Sequence, residues 1–230
     1  MRLLLVGYGR MGKLVEALAP EYGAVIAGVV SGREAEAALS EDNFGVVDVA
    51  IDFTVADAVA RNLPLLAARK LNVVVGTTGW AAEHERAMRD LVAKADIGVL
   101  ASANFSLGLN LFQLVVEHAA RRFDLYKSYG AWIHELHHTA KKDAPSGTAL
   151  QLKAGMVRAG YSHAIDVSST RAGSIPGTHT VGFDGPADSL TLTHAVRDRA
   201  VFARGALQAA RWLIGRRGWF TMRDMLSANG

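Results

Sequence analysis

The first hundred residues alternate between short apolar runs and longer amphipathic segments. The runs are rich in Val, Ile and Leu, as are strands buried on both faces of a sheet. The segments between them place apolar residues at helical spacing, for example Met11, Leu14, Val15 and Leu18. This alternation predicts an α/β fold with a doubly wound parallel sheet. The predicted strands are residues 2–6, 25–30, 46–53, 72–75 and 97–101, and the predicted helices are 10–22, 56–70 and 81–94.

The pattern changes after residue 104. Three strand-like stretches near the end of this region are bounded by Gly and Pro, with no helix between the last two, which favours a mixed or antiparallel sheet packed on helices. We therefore predict a first domain at 1–104, a second, α+β domain at 105–204, and a C-terminal helix in 205–230 that returns to the first. The predicted elements are helices 107–123, 146–159 and 202–216, and strands 126–136, 166–171, 178–183 and 189–196.

Composition limits the partners and the cellular compartment that can be expected. The formal net charge of +3 is spread over 230 residues without a long basic or acidic run, so nucleic acid is not an expected partner. Cysteine is absent, which excludes disulfides and thiol chemistry and fits a reducing cytoplasm. No stretch approaches the roughly 18 apolar residues of a membrane helix, so we expect a cytoplasmic protein without a membrane partner.

A glycine-rich motif lies between the first predicted strand and the first predicted helix. Its sequence, Gly7-Tyr8-Gly9-Arg10-Met11-Gly12, satisfies the dinucleotide fingerprint G-x-G-x-x-G. Glycines permit a tight turn and a close approach of the backbone to a pyrophosphate, which the helix N-terminus stabilises. Such a turn alone is also common in ordinary strand-to-helix connections. With the strand, helix and later strands in place, the motif predicts that residues 7–12 bind a dinucleotide cofactor.

The end of the second strand bears on the choice of cofactor. An acidic residue usually stands there in sites that prefer NADH, but this sequence has Ser31 and Gly32 followed by Arg33. A guanidinium matches a 2′-phosphate, so Arg33 favours NADPH over NADH. Alternatively, Arg33 is a solvated loop residue and Glu34 serves as the acidic residue.

Two further loops follow strand ends, where ligands bind in open α/β sheets. We predict that Gly76, Thr77 and Thr78 in one loop contact the cofactor. Ser102, Ala103, Asn104 and Phe105 in the other loop are assigned the same function, with Phe105 packing on the nicotinamide ring. The alternative is that these are turn and cap residues, selected for backbone conformation.

The segment from Ile133 to Ala149 concentrates groups that can carry protons and bind anions. Strand alternation places Glu135 and His137 on one face, and Pro145 then precedes a helix start at Ser146. The free N–H groups of such a helix start can bind a carboxylate. A metal site of Glu135, His137 and His138 is a weaker explanation, because adjacent strand residues point apart, and we predict no metal. General acid catalysis beside an anionic substrate accounts for the whole segment.

The same segment resembles the signature of the 4-hydroxy-tetrahydrodipicolinate reductase family, formerly called dihydrodipicolinate reductase. The matching residues are Glu135-Leu136-His137-His138, Lys141 and Asp143-Ala144-Pro145-Ser146-Gly147-Thr148-Ala149. Other stretches agree in the family's order over nearly the whole chain. They are Gly9-Arg10-Met11-Gly12, Asp52-Phe53-Thr54, Gly76-Thr77-Thr78-Gly79, Ala103-Asn104-Phe105-Ser106, Gly108, Phe202-Ala203 and Gly205-Ala206.

The resemblance implies an NAD(P)H-dependent reduction of a cyclic imine dicarboxylate in lysine biosynthesis. It also implies that His137 is the catalytic acid or base and Lys141 a proton donor. The substrate carboxylates would bind to His138, Ser146, Gly147 and Thr148, and Arg171, Gly173 and His179 would support the substrate domain. The resemblance further implies a homotetramer formed through the sheet of the second domain. From the two-domain arrangement we expect the domains to close over the ligands and exclude water, with hinges near residues 104 and 205.

Two departures from the family pattern stand out. The loop from Ser31 to Gly45 is short and lacks the family's acidic cofactor discriminator, and Asp188 stands where Glu is expected. Two other classes of function compete with the reductase. A regulatory nucleotide-binding module would leave the histidine and lysine segment unexplained. The other is a different Rossmann reductase, such as a semialdehyde or aspartate dehydrogenase. The absence of cysteine argues against the cysteine-acylating dehydrogenases, because they need a thiolate nucleophile.

Overall fold

The computed structural model describes residues 1–32, 35–41 and 44–227, with only the backbone described for 81–83. The described chain divides into two compact units. Unit 1 comprises Met1–Leu107 and Ala200–Gly230, and unit 2 comprises Gly108–Arg199. The chain therefore leaves unit 1 once and returns to it.

Unit 1 is built on a six-stranded sheet in which every pairing is parallel. The strand order is β10-β5-β4-β3-β1-β2. Its strands are β1 (Arg2–Val6), β2 (Val25–Val30), β3 (Val49–Asp52), β4 (Asn72–Val75), β5 (Gly98–Ala101) and β10 (Gly218–Phe220). The predicted doubly wound parallel sheet is thus confirmed.

Helices cover both faces of this sheet, because alternate side chains of each buried strand point to opposite faces. Leu3 and Leu5 of β1 pack in one apolar cluster, and Leu4 and Val6 pack in the other. The first cluster is completed by α1 (Arg10–Leu18), a short 3₁₀ helix (Ala19–Tyr22), α7 (Ala200–Leu213) and α8 (Met222–Ser227). The second is completed by α2 (Ala35–Ser40), α3 (Ala56–Ala68) and α4 (Ala81–Ala95).

Unit 2 contains a four-stranded mixed sheet in the order β7-β6-β8-β9. The central strand β6 (Gly130–His137) runs parallel to β7 (Ile165–Arg171) and antiparallel to β8 (Thr178–Asp184), which pairs with β9 (Ser189–Ala195). Helices α5 (Leu107–Phe123) and α6 (Gly147–Arg158) pack on one face of this sheet. The prediction of a mixed or antiparallel sheet is confirmed as mixed.

Small differences from the predicted elements have local causes. The strand predicted at 126–136 begins only at Gly130, because the preceding residues form turns after α5. Asp188, which departs from the family pattern, accepts a hydrogen bond from the Tyr129 hydroxyl (2.5 Å) near the turn between β8 and β9. No helix in the described ranges is long and apolar enough to span a membrane.

Candidate active site

The turn between β1 and α1 contains three glycines with different surroundings. Gly7 has φ +91°, and a Cβ there would lie 2.4 Å from the carbonyl oxygen of Phe53. A Cβ on Gly12 would lie 2.3 Å from the carbonyl oxygen of Gly7, so the absence of a side chain lets α1 approach the turn. At Gly9, apart from its chain neighbours, no described heavy atom lies within 4 Å of the equivalent position. The turn is therefore packed at Gly7 and Gly12 and open at Gly9, as a pyrophosphate requires.

The start of α1 adds a favourable electrostatic environment to this turn. Gly9 is the N-cap, no side chain among the described residues caps the helix, and the first turn contains no acidic residue. Its free N–H groups and dipole therefore favour an anion. The side chains of Tyr8 and Met11 are engaged elsewhere: the Tyr8 hydroxyl donates to Glu16, and Met11 packs against the core. The turn thus offers mainly its backbone to a diphosphate.

The loop after β4 is held by a buried carboxylate. Asp52, only 1% exposed, accepts hydrogen bonds from the Thr77 hydroxyl (3.1 Å) and the Thr54 hydroxyl (2.6 Å) through Oδ1, and from the Asn62 amide (3.1 Å) through Oδ2. The Thr77 hydroxyl in turn accepts from the Thr54 N–H (2.8 Å). The predicted cofactor residue Thr77 therefore uses its side chain to fix the loop, whereas Thr78 is exposed.

The loop after β5 is ordered by its own side chains. The Ser102 hydroxyl donates to the carbonyl of Asn104 (2.9 Å), and the Asn104 side-chain oxygen accepts from the Ser106 N–H (2.8 Å). The prediction that Phe105 packs on a nicotinamide ring needs correction. Its side chain is 2% exposed and belongs to the apolar core, where it meets Phe53 edge to face. The ring of Phe105 anchors the loop and leaves only the backbone for a ligand.

These two loops border a pocket of about 250 Å³ in unit 1. Thr78, Ser102 and Ala103, all predicted as cofactor residues, line it. Its aromatic wall, which no sequence pattern indicated, is formed by Trp80 of the loop and Trp219 of β10, with ring centroids 6.0 Å apart. Arg33, predicted to contact a 2′-phosphate, and its alternative Glu34 lie outside the described residues.

The centre of the candidate site in unit 2 is Glu135, whose side chain is fully buried on β6. Arg171 of β7 donates to both carboxylate oxygens, at 2.7 and 3.0 Å. The Ser146 N–H, at the start of α6, also donates to Glu135 (3.2 Å). Burial alone raises the pKa of Glu135, but hydrogen bonds from Arg171, Ser169 and His137 outweigh it and lower the pKa to about 2. Glu135 is therefore ionised at neutral pH.

His137 shares the inner face of β6 with Glu135, as strand alternation predicts. Its Nδ1 is hydrogen-bonded to the Glu135 carboxylate. Burial lowers the pKa of His137, and the charges of Lys141 and Arg171 add to this effect, although Glu135 acts in the opposite direction. A neutral His137 therefore carries its proton on Nδ1. The other nitrogen, Nε2, has no hydrogen-bond partner among the described residues and lies next to Gly177, where a Cβ would be 3.0 Å away.

The N-terminus of α6 is joined to the same network. Ser146 is the N-cap, and its hydroxyl accepts from the Ala149 N–H (3.2 Å) and pairs with Nε2 of His179 (3.1 Å). Ser146 is 2% exposed and its hydroxyl is engaged in these two contacts. Its contact with a substrate carboxylate stays a prediction. Gly147 and Thr148, in the next positions, are more exposed. Apart from its chain neighbours and the backbone of its own helix, no heavy atom in the described part of the chain lies within 4 Å of the Cβ position of Gly147.

Lys141 lies in the loop between β6 and α6. Its ammonium donates to both carboxylate oxygens of Asp143, at 2.7 and 2.9 Å. Hydrogen bonds from Lys141 and from the backbone of Gly147 lower the pKa of Asp143. The Asp143 carboxylate therefore accepts hydrogen bonds from the Lys141 ammonium and from an N–H at the start of α6. Both donors would also suit the carboxylate of a ligand. His138 lies just beyond the end of β6 and is partly exposed.

The structure brings together a different set of possible metal ligands from the one considered in the sequence. Glu135 and His137 are joined by His179, with ligand atoms within 4.8 Å of one another, whereas His138 is not in the group. Both oxygens of Glu135 already accept from the guanidinium of Arg171. We interpret the cluster as a hydrogen-bonded network, because a second cation beside Arg171 would be repelled.

Together the two units define the class of protein: a nicotinamide-dependent oxidoreductase with a Rossmann-type unit and a second, mixed-sheet unit that contains the histidine and lysine cluster. The family profile described as "Dihydrodipicolinate reductase, N-terminus" matches residues 1–105, and "Dihydrodipicolinate reductase, C-terminus" matches residues 108–226. The chain belongs to the dihydrodipicolinate reductase family.

Individual relatives agree over almost their full length. The 4-hydroxy-tetrahydrodipicolinate reductase of Acidiphilium cryptum is 38% identical, covering 95% of this chain and 94% of the relative. That of Christiangramia forsetii is 34% identical, covering 99% and 98%. Among solved structures, dipicolinate-bound dihydrodipicolinate reductase from Paenisporosarcina sp. TG-14 has a TM-score of 0.82 at 22% identity, covering 96% of this chain and 97% of that one. This last similarity supports the fold.

Proposed function

We propose that this protein reduces 4-hydroxy-tetrahydrodipicolinate to tetrahydrodipicolinate, with loss of water, at the expense of NADPH or NADH. The observation that carries the proposal is the grouping in unit 2 of a neutral histidine, a lysine and a helix N-terminus around one buried carboxylate. A doubly anionic cyclic imine needs such a combination of proton donors and carboxylate-binding groups.

The residues of unit 1 fit the cofactor. The backbone of residues 7–12 would bind the diphosphate, since the turn is open at Gly9 and the start of α1 is uncapped. The loops at 76–78 and 102–105 would contact the ribose and nicotinamide beside the pocket that they line. When bound, the nicotinamide supplies the hydride, and the protein supplies orientation and protons.

In unit 2, His137 and Lys141 would handle the protons. Nε2 of neutral His137 is an acceptor that can take a proton and return it, because Nδ1–H is held by Glu135. The Lys141 ammonium would donate the proton that the reduced ring requires, after exchanging Asp143 for a substrate carboxylate. Gly147, Thr148 and His138 would bind the carboxylates, and Ser146 would hold the helix start in place.

A direct assay tests the reaction. Freshly prepared product of dihydrodipicolinate synthase is mixed with the protein and NADPH or NADH, and nicotinamide absorbance is followed. We expect oxidation that depends on the substrate and is inhibited by dipicolinate, a planar dicarboxylate. Cofactor binding without turnover would instead support a regulatory module.

For the cofactor we propose a preference for NADPH, supported by Arg33 and by the absence of an acidic residue at 31 and 32. Arg33→Asp should raise kcat/KM with NADH relative to NADPH. An equal loss with both cofactors would reject the assignment.

We also propose that the chain forms a homotetramer through the sheet of unit 2. The two helices of this unit pack on one face of the sheet, while Trp132, His134 and Leu136 belong to the other face of β6. Light scattering should give four times the chain mass of 24.5 kDa. A mass of one chain would contradict the proposal.

A further inference from the structure

We propose that Glu135 and Arg171 are positioning residues for catalysis: the carboxylate fixes His137 with Nδ1–H bound and Nε2 presented, and the guanidinium holds the carboxylate in that place. The inference rests on the function proposed for His137. It concerns two residues that neither donate nor accept the protons of the reaction, and whose effect is transmitted through the imidazole.

The carboxylate of Glu135 is held in one geometry. Glu135 is 0% exposed and has both oxygens engaged by Arg171, one of them also by His137 and the other by the Ser146 N–H. A buried carboxylate with this many donors has one orientation, because rotation would break several charge-assisted hydrogen bonds at once. The imidazole bonded to it is therefore fixed in ring orientation and in tautomer.

The pairing of three strands brings these groups together. Arg171 is directly opposite His137 in the parallel pairing of β6 with β7, and His179 is opposite Glu135 in the antiparallel pairing with β8. Arg171 also donates to the carbonyl of Asp143 (2.5 Å) in the Lys141 loop. One guanidinium thus holds the carboxylate behind His137 and the backbone beside Lys141.

Charged groups of both signs surround His137. Its own strand contributes the anion Glu135, the following loop contributes the cation Lys141, β7 contributes the cation Arg171, and β8 contributes His179, whose pKa burial lowers to about 4. Arg171 offsets the charge of Glu135, so the carboxylate orients His137 without making it a permanent cation. Removing Glu135 should therefore lower the pKa of His137, whereas removing Arg171 should raise it.

The experiment measures kcat/KM against pH for the full-length protein at saturating NADPH or NADH. The kinetic pKa of His137 is identified by its loss in His137→Gln. In Glu135→Gln we expect this pKa to fall and kcat to drop by about 10²-fold. In Arg171→Met, which leaves the carboxylate without its guanidinium, we expect the pKa to rise.

A double variant separates positioning from folding. Glu135→Leu with Arg171→Met replaces the ion pair by apolar side chains, a change that proteins often tolerate. If the pair only supports the fold, this variant recovers wild-type turnover when it is as stable as the wild type by thermal unfolding. Positioning predicts that it stays slow while binding NADPH normally. Glu21→Gln, which breaks an exposed ion pair with Arg204 in unit 1, is the matched control.

Nitrogen NMR of histidine-labelled protein provides a readout that does not depend on activity. We expect His137 in the wild type to be protonated on Nδ1, and Glu135→Gln to populate the Nε2–H tautomer. Kinetic pKa values that move in the same direction, or an unchanged tautomer in Glu135→Gln, would overturn the inference. Absence of reductase activity with the expected tautomer would instead reject only the proposed function.

Discussion

Glu135 shows how much one residue can organise when it is withdrawn from water. An isolated buried carboxylate would be strongly destabilising, so its position depends on the donors that satisfy it. Those donors come from Arg171 on one neighbouring strand, the helix N-cap Ser146, and His137 two positions along the same strand. Because the buried carboxylate needs all of these hydrogen bonds, it fixes His137 and the start of α6 relative to each other.

We expect Lys141→Ala to lower turnover by about 10²-fold, because the proton donor is lost. NADPH should still bind, because the cofactor turn is in the other unit. Steady-state kinetics measure turnover, and titration followed by NADPH fluorescence measures cofactor binding. Lys142→Ala, the exposed neighbour, is the control and should retain activity. Unchanged turnover in folded Lys141→Ala would remove this residue from the mechanism.

Among the elements, the junction of β1 and α1 depends on small distances between backbone atoms. Gly12 has backbone oxygen within 2.3 Å of a Cβ position, whereas Gly9 has open space. The two glycines of one motif therefore have different physical functions: one allows the helix to pack, and the other leaves room for a ligand.

This difference predicts a contrast between two single-methyl substitutions. Gly12→Ala should lower both the melting temperature and the affinity for NADPH, because the turn must distort. Gly9→Ala should leave the melting temperature nearly unchanged, since its φ of −78° suits alanine, yet weaken NADPH binding by occupying the open side. Thermal unfolding and calorimetric titration of both variants test this. Equal stability losses would contradict it.

Most elements of unit 1 were predictable, because buried parallel strands have unbroken apolar runs and their helices have a clear period. The elements missed were β10, α2 and α8, which have three, six and six residues. A six-residue helix has fewer than two full turns, and a three-residue strand has one alternation of side chains. Neither length is enough to reveal a period in the sequence. β10 forms because it can pair with β5, and that pairing is not a property of its own three residues.

For the whole molecule, two buried groups make stability depend on pH in the same direction. The pKa of His179 is lowered from 6.5 to about 4, chiefly by burial, so its neutral form is favoured in the fold. That stabilisation is complete above pH 6.5 and is lost as pH falls towards 4. The pKa of Glu135 is lowered from 4.5 to about 2, so its contribution is complete above pH 4.5 and is lost below it.

Acid should therefore destabilise the protein in two stages. Between pH 6.5 and 4 the loss from His179 is about 3 kcal/mol, since each pKa unit corresponds to about 1.4 kcal/mol. Denaturant unfolding at several pH values should show a smaller dependence over this range in His179→Gln. His118→Gln, on the exposed face of α5, should behave as wild type. If the free energy of unfolding of His179→Gln depended on pH as steeply as that of the wild type, His179 would not be the cause of the acid destabilisation.

Chemistry that is contiguous along the chain could be read from the amino-acid sequence. The motif at 7–12, the pairing of Glu135 with His137 on one strand face, and the helix start at Ser146 all follow from local spacing and residue type. Folding of the whole chain is what joins Arg171 and His179 to the network, buries Ser146 and Phe105, and places Trp219 at a pocket. These contacts depend on strand register, which is set by packing of the whole sheet on its helices and cannot be read from any one segment.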